Sequence, residues 1–452
     1  MKIFLNILFM LFAIKTFSQY LIIRNFIFEG NKKTKPFIIE RELTFKKGDT
    51  LWLPYLQKNI EQSKQNLLKT SLFNFAEIDT INSNNKFTDI LISVVERWYL
   101  WPIPVFEQAS RNINTWFYEK DYDKINYGFF IAQANFRGRN ELLRAIARLG
   151  YREQYGFAYT IPHILGSNTT GVEIKALYYR QKQLAFKNEQ NKPIYLHSNN
   201  YLYTNSDFTL ELFYRPKLYA LHSFEISYSY QKINDSLFKK NPHFLYDTLK
   251  INNYTSLSYY FRYDKTNSVA YPTFGYYFDY TLANNILFSK KTYIPQINIK
   301  GAYYYTPFKR FFNSHGIVLN YSHIKKQSYL MNKAFGYRTS PRGYELYLID
   351  GQGYLLSQNS IRYMLIKPRI KTIYKLKNER FAKFHYAFYL SLNGDVGYVL
   401  NRYKTPLTNQ LLYGYGVGID FVTYYDITLR TEFSINHLNI KGVYFHFSSY
   451  IK

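Results

Sequence analysis

The sequence predicts an N-terminal α+β domain followed by a sixteen-stranded antiparallel transmembrane β-barrel, on three observations. Most of the chain alternates apolar and polar residues with the period of a β-strand. Aromatic residues make up 20% of the 452 residues, yet the mean hydropathy is only −0.33, which suits strands with side chains at a membrane interface. Beyond the N-terminus there is no apolar run of the roughly 18 to 20 residues that a membrane helix needs. A membrane-spanning part must therefore be a closed barrel.

The first residues have the features of a secretory signal peptide. Lys2 supplies the positive charge, residues 3–14 the apolar core and residues 16–18 the segment before cleavage. The core is too short to cross a membrane, which disfavours an uncleaved anchor helix. We therefore expect a signal peptide over residues 1–18, a first domain over residues 19–97 and a barrel over residues 98–452.

Composition excludes several kinds of function. Lys and Arg number 58 against 31 Asp and Glu, a net charge of +27, which favours an anionic partner such as nucleic acid, anionic lipid or lipopolysaccharide. The charges are spread along the chain without a basic helix, so nucleic acid is disfavoured.

The chain has no cysteine, and its nine histidines form no HExxH or other paired spacing. Walker, GxSxG and dinucleotide-binding motifs do not occur either, so we expect no metal, no cofactor and no enzymatic activity.

Residues 20–97 mix strand and helix patterns. The predicted order is a strand, two helices and two strands, over residues 20–28, 36–43, 53–68, 72–78 and 87–95. The second helix places Leu56, Ile60 and Leu67 on one face, and the last strand places Ile90 and Ile92 on one side. This order predicts a small α+β domain.

From Trp98 onward the pattern has period two. Phe224, Ile226 and Tyr228, for example, alternate with polar residues. Turn residues divide this region into sixteen strands that start near residues 98, 126, 141, 154, 170, 207, 222, 253, 274, 292, 313, 358, 383, 410, 427 and 442. An even number returns both chain ends to the side of the N-terminal domain, so odd-numbered connections face outward. A soluble β-sandwich would also alternate, but the signal peptide and the many aromatic strands of about ten residues favour a barrel.

The connection between predicted strands eleven and twelve, roughly residues 323–358, is unusually long and has Arg342-Gly343-Tyr344 at its centre. A loop of this length in an ordered chain is usually functional or disordered, and its aromatic content disfavours disorder. The strand count makes it outer loop six.

These features resemble the BamA/TamA family, in which a periplasmic POTRA domain precedes a sixteen-stranded barrel of the bacterial surface antigen type. The β-α-α-β-β order and the turn FEGNKKTK resemble a POTRA domain. Arg342-Gly343-Tyr344 resembles the arginine-glycine-aromatic motif at the tip of the family's loop six. YPTFGY over residues 271–276 and GYGVGIDF over residues 414–421 resemble the turn entering strand nine and the glycine-rich strand fourteen.

The resemblance implies that loop six folds into the lumen and that Arg342 pairs with an acid on strand thirteen. Alternation places Asp395 on the inner wall of that strand. Arginine can hold a carboxylate through two parallel hydrogen bonds, which lysine cannot do, and Gly343 permits a sharp turn. We therefore predict a loop-six lock of Arg342, Gly343, Tyr344 and Asp395. The family usually has an aromatic residue where Asn393 stands, so the packing around the pair should differ.

The first barrel strand carries Pro102 and Pro104 on one face. Proline cannot donate to a strand ladder and belongs on edges. Strand one must pair with strand sixteen to close the barrel, so we predict a barrel seam that is poor in hydrogen bonds. The resemblance implies that this seam is a lateral gate where client strands add. The alternative is that both prolines lie in the linker before the strand.

Acids and arginines also alternate onto the predicted inner face of the barrel. We interpret them as a solvated electrostatic network rather than an acid/base pair. They are Glu211, Glu225, Asp279, Glu432, Arg215, Arg262 and Arg430.

The resemblance implies an outer-membrane protein assembly or translocation factor, of insertase or translocase type, whose POTRA domain and seam receive client β-strands. The expected partners are client outer-membrane or secreted proteins, accessory lipoproteins, membrane lipid and lipopolysaccharide, with the POTRA domain in the periplasm. Two alternatives stay open: a diffusion channel or small-molecule receptor with a structural N-terminal domain, and an adhesin that binds anionic glycans.

Overall fold

The computed structural model describes residues 20–84, 86–108, 125–164, 167, 169–372, 383–403, 405–423 and 427–447. The predicted signal peptide lies outside these residues. The chain divides into two compact units, with the boundary between Arg97 and Trp98. In the described ranges, no helix is long and apolar enough to cross a membrane.

The first unit combines a four-stranded sheet with two helices. Its elements are β1 (Tyr20–Glu29), α1 (Pro36–Glu40), β2 (Thr50–Trp52), α2 (Leu53–Lys69), β3 (Phe73–Ile81) and β4 (Phe87–Glu96). The strands lie in the order β2-β1-β4-β3, with β1 parallel to β4 and the other pairs antiparallel. The predicted order of elements is confirmed, with β2 as an addition, because a three-residue strand is too short to show alternation.

One face of α2 and one face of β4 supply the core of this unit. Leu67, Ile90 and Ile92 have no exposed surface, and Leu56 and Ile60 are buried, as the two periodicities predict. Burying such a side chain contributes about 1.5–3 kcal/mol. Both helices have proline in their first positions, where its missing N–H costs little.

An ion pair at a bulge makes this unit sensitive to acid. The register of β1 against β4 shifts between Ile23 and Asn25, and Arg24 in the bulge donates from Nε to Asp89 Oδ1 at 2.9 Å. Hydrogen bonds from Arg24 and Asn82 lower the pKa of the Asp89 carboxyl from 3.8 to about 2. Because the folded-state pKa is the lower one, this stabilisation is present above about pH 4 and is lost as the pH falls toward 2.

We expect Asp89→Asn to weaken this pH dependence. In the wild-type full chain, hydrogen exchange corrected for its intrinsic pH dependence should show residues 20–97 losing protection between about pH 4 and pH 2. In the variant, protection should be lower at neutral pH and should change less with acid. Asp79→Asn, at an exposed position on the edge strand β3, is the control and should behave as wild type. An unchanged acid transition in Asp89→Asn would contradict this account.

The second unit is a sixteen-stranded antiparallel sheet in a barrel-like arrangement. Barrel strands one to sixteen are β5 (Leu100–Gln108), β6 (Ile125–Phe136), β7 (Glu141–Gly150), β8 (Arg152–Ile161), β9 (Thr170–Gln181), β12 (Tyr203–Lys217), β13 (Ala220–Ile233), β14 (Ile251–Asp264), β15 (Gly275–Leu287), β16 (Thr292–Phe308), β17 (Phe311–Ser322), β20 (Gly353–Thr372), β21 (Lys383–Leu400), β22 (Leu411–Thr423), β23 (Thr428–Asn436) and β24 (Lys441–Phe447). The predicted strand number is confirmed. The largest differences in start are β12, at Tyr203 rather than near 207, and β20, at Gly353 rather than near 358.

Within the described residues, three of the connections contain secondary structure of their own. The hairpin of β10 (Gln183–Glu189) and β11 (Lys192–His197) lies between β9 and β12, and helix α3 (Asp235–Lys240) lies between β13 and β14. The short ladder of β18 (Lys333–Phe335) and β19 (Ile349–Asp350) lies in loop six. The hairpin and α3 are absent from the sequence prediction because loops of polar and turn residues surround them.

Exposure alternates along the barrel strands as predicted. On β13, Phe224 and Ile226 are more than half exposed, whereas Ser223 and Ser229 are buried. The exposed residues are aromatic and aliphatic, which is the outer face of a membrane barrel, and the polar residues face inward.

Candidate functional site

Loop six, residues 323–352, connects β17 to β20, and its central part lies against the inner wall formed by β21, β22 and β23. Glycines make this approach possible on both sides. Gly343 has a φ of +78°, a conformation that favours glycine. A Cβ on Gly414 of β22 would collide with the carbonyl oxygen of Arg342, and one on Gly397 of β21 would press on the Phe335 ring.

Arg342 lies between two carboxylates. Its Nη1 pairs with Asp395 Oδ1, and its backbone N–H donates to Asp395 Oδ2 at 3.2 Å. Its Nε lies 2.9 Å from Glu432 Oε1 on β23. Arg342 is 6% exposed, Asp395 2% and Glu432 1%, so water screens these contacts little. The guanidinium therefore ties loop six to strands thirteen and fifteen together.

Glu432 is a partner of Arg342 that the sequence does not predict; its pattern assigns this acid to a solvated network instead. That interpretation is wrong for Glu432, Asp279 and Arg430, because all three are buried. The hydroxyls of Tyr260 and Tyr277 contact Asp279, and Arg430 pairs with Asp420. A signal was present: alternation makes Glu432 an inward-facing acid on β23, two strands from Asp395 on β21.

Asn393, where the family usually has an aromatic residue, orients the second acid. Its Nδ2 donates to Glu432 Oε2 at 2.7 Å. On the other side, Gln358 Nε2 donates to Asp395 Oδ2 at 3.3 Å. Each carboxylate thus has a neutral amide partner in addition to Arg342, which satisfies more of its acceptor positions.

Tyr344 fixes the loop tip on its other side. The side chain is fully buried and its hydroxyl contacts His437 Nδ1. Asn436 Nδ2 donates to the carbonyl oxygen of Gly343 at 2.7 Å. The structure therefore brings Arg342, Gly343, Tyr344 and Asp395 together in one buried cluster. Around it packs an apolar group made of Val318, Ala334, Phe335, Ile349, Leu356, Val399, Leu407 and Leu412.

The outer part of loop six is held by two other loops. Asn188 of the β10–β11 hairpin donates from Nδ2 to the Tyr337 hydroxyl and to Asp350 Oδ1, both at 2.7 Å. Burial raises the pKa of Asp350 to about 6, against the lowering effect of the hydrogen bonds that Tyr337 and Asn188 donate to its carboxylate. The backbone N–H groups of Tyr329 and Leu330 donate to carbonyl oxygens in the α3 loop at 2.9 and 3.0 Å.

A second contact crosses the lumen from the inner turn, residues 265–274, between β14 and β15. Tyr271 donates from its hydroxyl to Asp420 Oδ2 on β22 at 2.6 Å, and Asp420 also pairs with Arg430 at 2.7 Å. The fully buried Arg362 stacks its guanidinium 4.6 Å from the Tyr271 ring centroid and donates to the Pro272 carbonyl oxygen at 2.9 Å. The YPTFGY and GYGVGIDF segments therefore meet inside the barrel.

The ladder between β5 and β6 determines which way the two prolines face. The Tyr99 carbonyl oxygen accepts from the Ala134 N–H at 2.8 Å. Because backbone groups alternate sides along an antiparallel strand, the nitrogens of Pro102 and Pro104 face away from β6. Both prolines lie within β5, so the alternative that places them in the preceding linker is wrong. Among the described residues, β5 and β24 are the ends of the sheet and share no ladder.

Comparison with known proteins identifies the family of this chain. A model of the Omp85 superfamily domain matches residues 135–423. The chain belongs to the Omp85 superfamily. A POTRA model, described as the surface antigen variable number repeat, matches residues 21–97. The described residues of this Omp85 chain contain no cluster of three or more His, Asp or Glu side chains that could hold a metal ion.

Two solved structures share the fold of this Omp85 chain. CdiB from Escherichia coli has a TM-score of 0.57 at 10% identity, over 96% of this chain and 76% of that chain. BamA from Haemophilus ducreyi, lacking POTRA domains 1-3, has a TM-score of 0.51 at 13% identity, over 95% of this chain and 84% of that chain. No curated protein matches the chain.

Proposed function

We propose that this chain is an outer-membrane protein assembly or translocation factor, with its POTRA domain in the periplasm and client strands added at the seam between β5 and β24. The observation that carries the proposal is the edge of β5 that faces away from β6 and has no ladder among the described residues. At two positions along this edge, Pro102 and Pro104, the backbone has no N–H to donate. A strand edge with missing donors closes weakly and can exchange partners more readily.

The loop-six lock gives the two sides of this seam different roles. Arg342 and Gly343 attach the loop to β21 and β23, and β23 pairs with β24 over seven positions from Leu429 to Ile435. The C-terminal side of the seam is thus supported from inside the lumen. The side formed by β5 is held by its ladder with β6. In this proposal β5 is the strand that separates when the seam opens. Loop six and the inner turn occupy part of the lumen, so a diffusion channel is not favoured.

Clients would first meet the POTRA sheet. Its edge strands are β2, with three residues, and β3, with nine. Only β3 is long enough to add a client strand over several residues by β-augmentation. We propose β3 as the receiving edge and β5 as the edge that accepts the strand in the membrane.

A reversible lock on the seam tests this function. The chain has no cysteine, so introduced pairs are the sole thiols. We would scan pairs between residues 102–106 of β5 and residues 441–447 of β24 for disulfide formation. An oxidised seam should lower the amount of client proteins at the cell surface, measured by surface proteomics, and a reductant should restore it.

The matched control is Ile131→Cys with Ala145→Cys, which are direct partners of the β6–β7 ladder. This disulfide joins two strands that stay paired and should not affect surface proteins. Full assembly with a locked seam would refute the gate, and loss of assembly with the control disulfide would show that oxidation itself is responsible.

A further inference from the structure

An open pocket of about 400 Å³ lies where the loops after β13, β15 and β17 meet. Four lysines line it, two from the β15–β16 connection and two from the start of loop six. The lining residues that matter here are Lys290, Lys291, Lys325, Lys326, Asp247 and Tyr293. We call this the lysine pocket.

The lysine pocket concentrates positive charge that the chain does not neutralise. Lys290 Nζ lies 3.3 Å from Asp247 Oδ2. Lys291, Lys325 and Lys326 are exposed and make no ion pair with any other described residue. Ammonium groups drawn together by two separate loops repel one another, and a multivalent oxyanion removes that repulsion.

The pocket opens beside the lipid-facing surface. Tyr293 is 62% exposed and continues the outward face of β16, on which Tyr303 is also exposed, whereas Ile294 next to it is fully buried. Phe288, 51% exposed, continues the outward face of β15 in the same way. Aromatic side chains at strand ends are typical of the membrane interface. A molecule with an anionic head and apolar chains therefore fits both surfaces at once.

We propose that the lysine pocket binds the phosphate group of an outer-leaflet glycolipid of the lipopolysaccharide type. The phosphate contacts the lysines, and the acyl chains run along Tyr293 and Phe288. The inference rests on the proposed function in one respect, since it requires these loops to face the cell exterior. Soluble phosphate has the same headgroup chemistry without the apolar chains.

The test uses the purified full chain in phosphatidylcholine nanodiscs that contain a small fraction of lipid A, either phosphorylated or with its phosphates removed. Native mass spectrometry measures how much lipid A stays bound. The variant Lys291→Gln/Lys325→Gln/Lys326→Gln keeps the Lys290–Asp247 pair. Its affinity for phosphorylated lipid A should fall by about tenfold or more. Lys182→Gln/Lys239→Gln/Lys240→Gln removes three exposed lysines that do not line the pocket and should bind as wild type.

Wild-type chain should prefer phosphorylated over dephosphorylated lipid A, and millimolar inorganic phosphate should not displace it. Equal retention of the two lipids, or an unchanged triple variant, would overturn the site. Displacement by inorganic phosphate would overturn the lipid as its ligand. The binding assay contains no client, so its failure is separate from a failure of the seam-locking test.

Discussion

Arg342→Ala is expected to release loop six from the barrel wall and to lower the stability of the barrel. The change leaves Asp395 and Glu432 buried without the guanidinium that they share. Removing one member of a buried ion pair typically costs about 3–5 kcal/mol, because the remaining charge is uncompensated. When samples are heated to a series of temperatures before electrophoresis, the variant should lose the fast mobility of the folded barrel at a lower temperature than wild type. Loop six should also become cleavable by external protease.

Three further variants separate the lock from a general effect of losing an arginine. Arg338→Ala removes an exposed arginine from the same loop and should behave as wild type. Arg342→Lys keeps the charge but not the fork that reaches two acids, so it should be intermediate. Adding Asp395→Asn and Glu432→Gln to Arg342→Ala should recover part of the stability, because no buried charge is left unpaired. If Arg342→Ala and Arg338→Ala are indistinguishable, the lock has no energetic role.

Gly414→Ala is expected to displace the loop tip without touching any charged group. The added methyl group would collide with the Arg342 carbonyl oxygen, a backbone atom that cannot rotate away as a flexible side chain could. Overpacking of this kind costs about 1–3 kcal/mol. Thermal midpoints and protease access to loop six should change in the same direction as in Arg342→Ala, although less.

Gly394→Ala is the matched control for that substitution. Gly394 lies on the neighbouring strand β21, and a Cβ there meets no atom within 4 Å. Both variants add one methyl group to a strand glycine, so their difference isolates the contact with loop six. Equal thermal midpoints for Gly414→Ala and Gly394→Ala would contradict this prediction. They would mean that loop six adapts to the methyl group or does not depend on its contact with Gly414.

Features that repeat along the chain could be predicted from the sequence. Alternation is a local property, so sixteen strands and their inner faces follow from it, as does the inward direction of Asp395. The family motif supplied Arg342. The two together were enough to predict that these residues meet, although neither the pairing geometry nor its depth of burial follows from a pattern.

Features that depend on contacts across the lumen could not be predicted in this way. Glu432 meets Arg342 because loop six places that arginine between β21 and β23, and the position of a loop inside the lumen is not encoded by period-two spacing. Tyr271 reaches Asp420 across the lumen from the turn before β15, five strands away, at a separation of 149 residues. Alternation predicts that Arg362 faces the lumen. Its stacking on Tyr271, however, depends on the inner turn folding into the lumen, which alternation does not predict.

One strand supports both structures that enter the lumen. Gly414 of β22 lies beneath loop six, and Asp420 of the same strand receives Tyr271 from the inner turn. Six residues separate them, about 20 Å along a strand. We expect β22 to couple the two contacts, because a displacement of the strand at one end changes the packing available at the other. Such a coupling is reciprocal, so releasing loop six should weaken the hold of the inner turn by the same free energy as releasing the turn weakens the hold of loop six. Protease access to each element in Arg342→Ala and in Tyr271→Phe measures it.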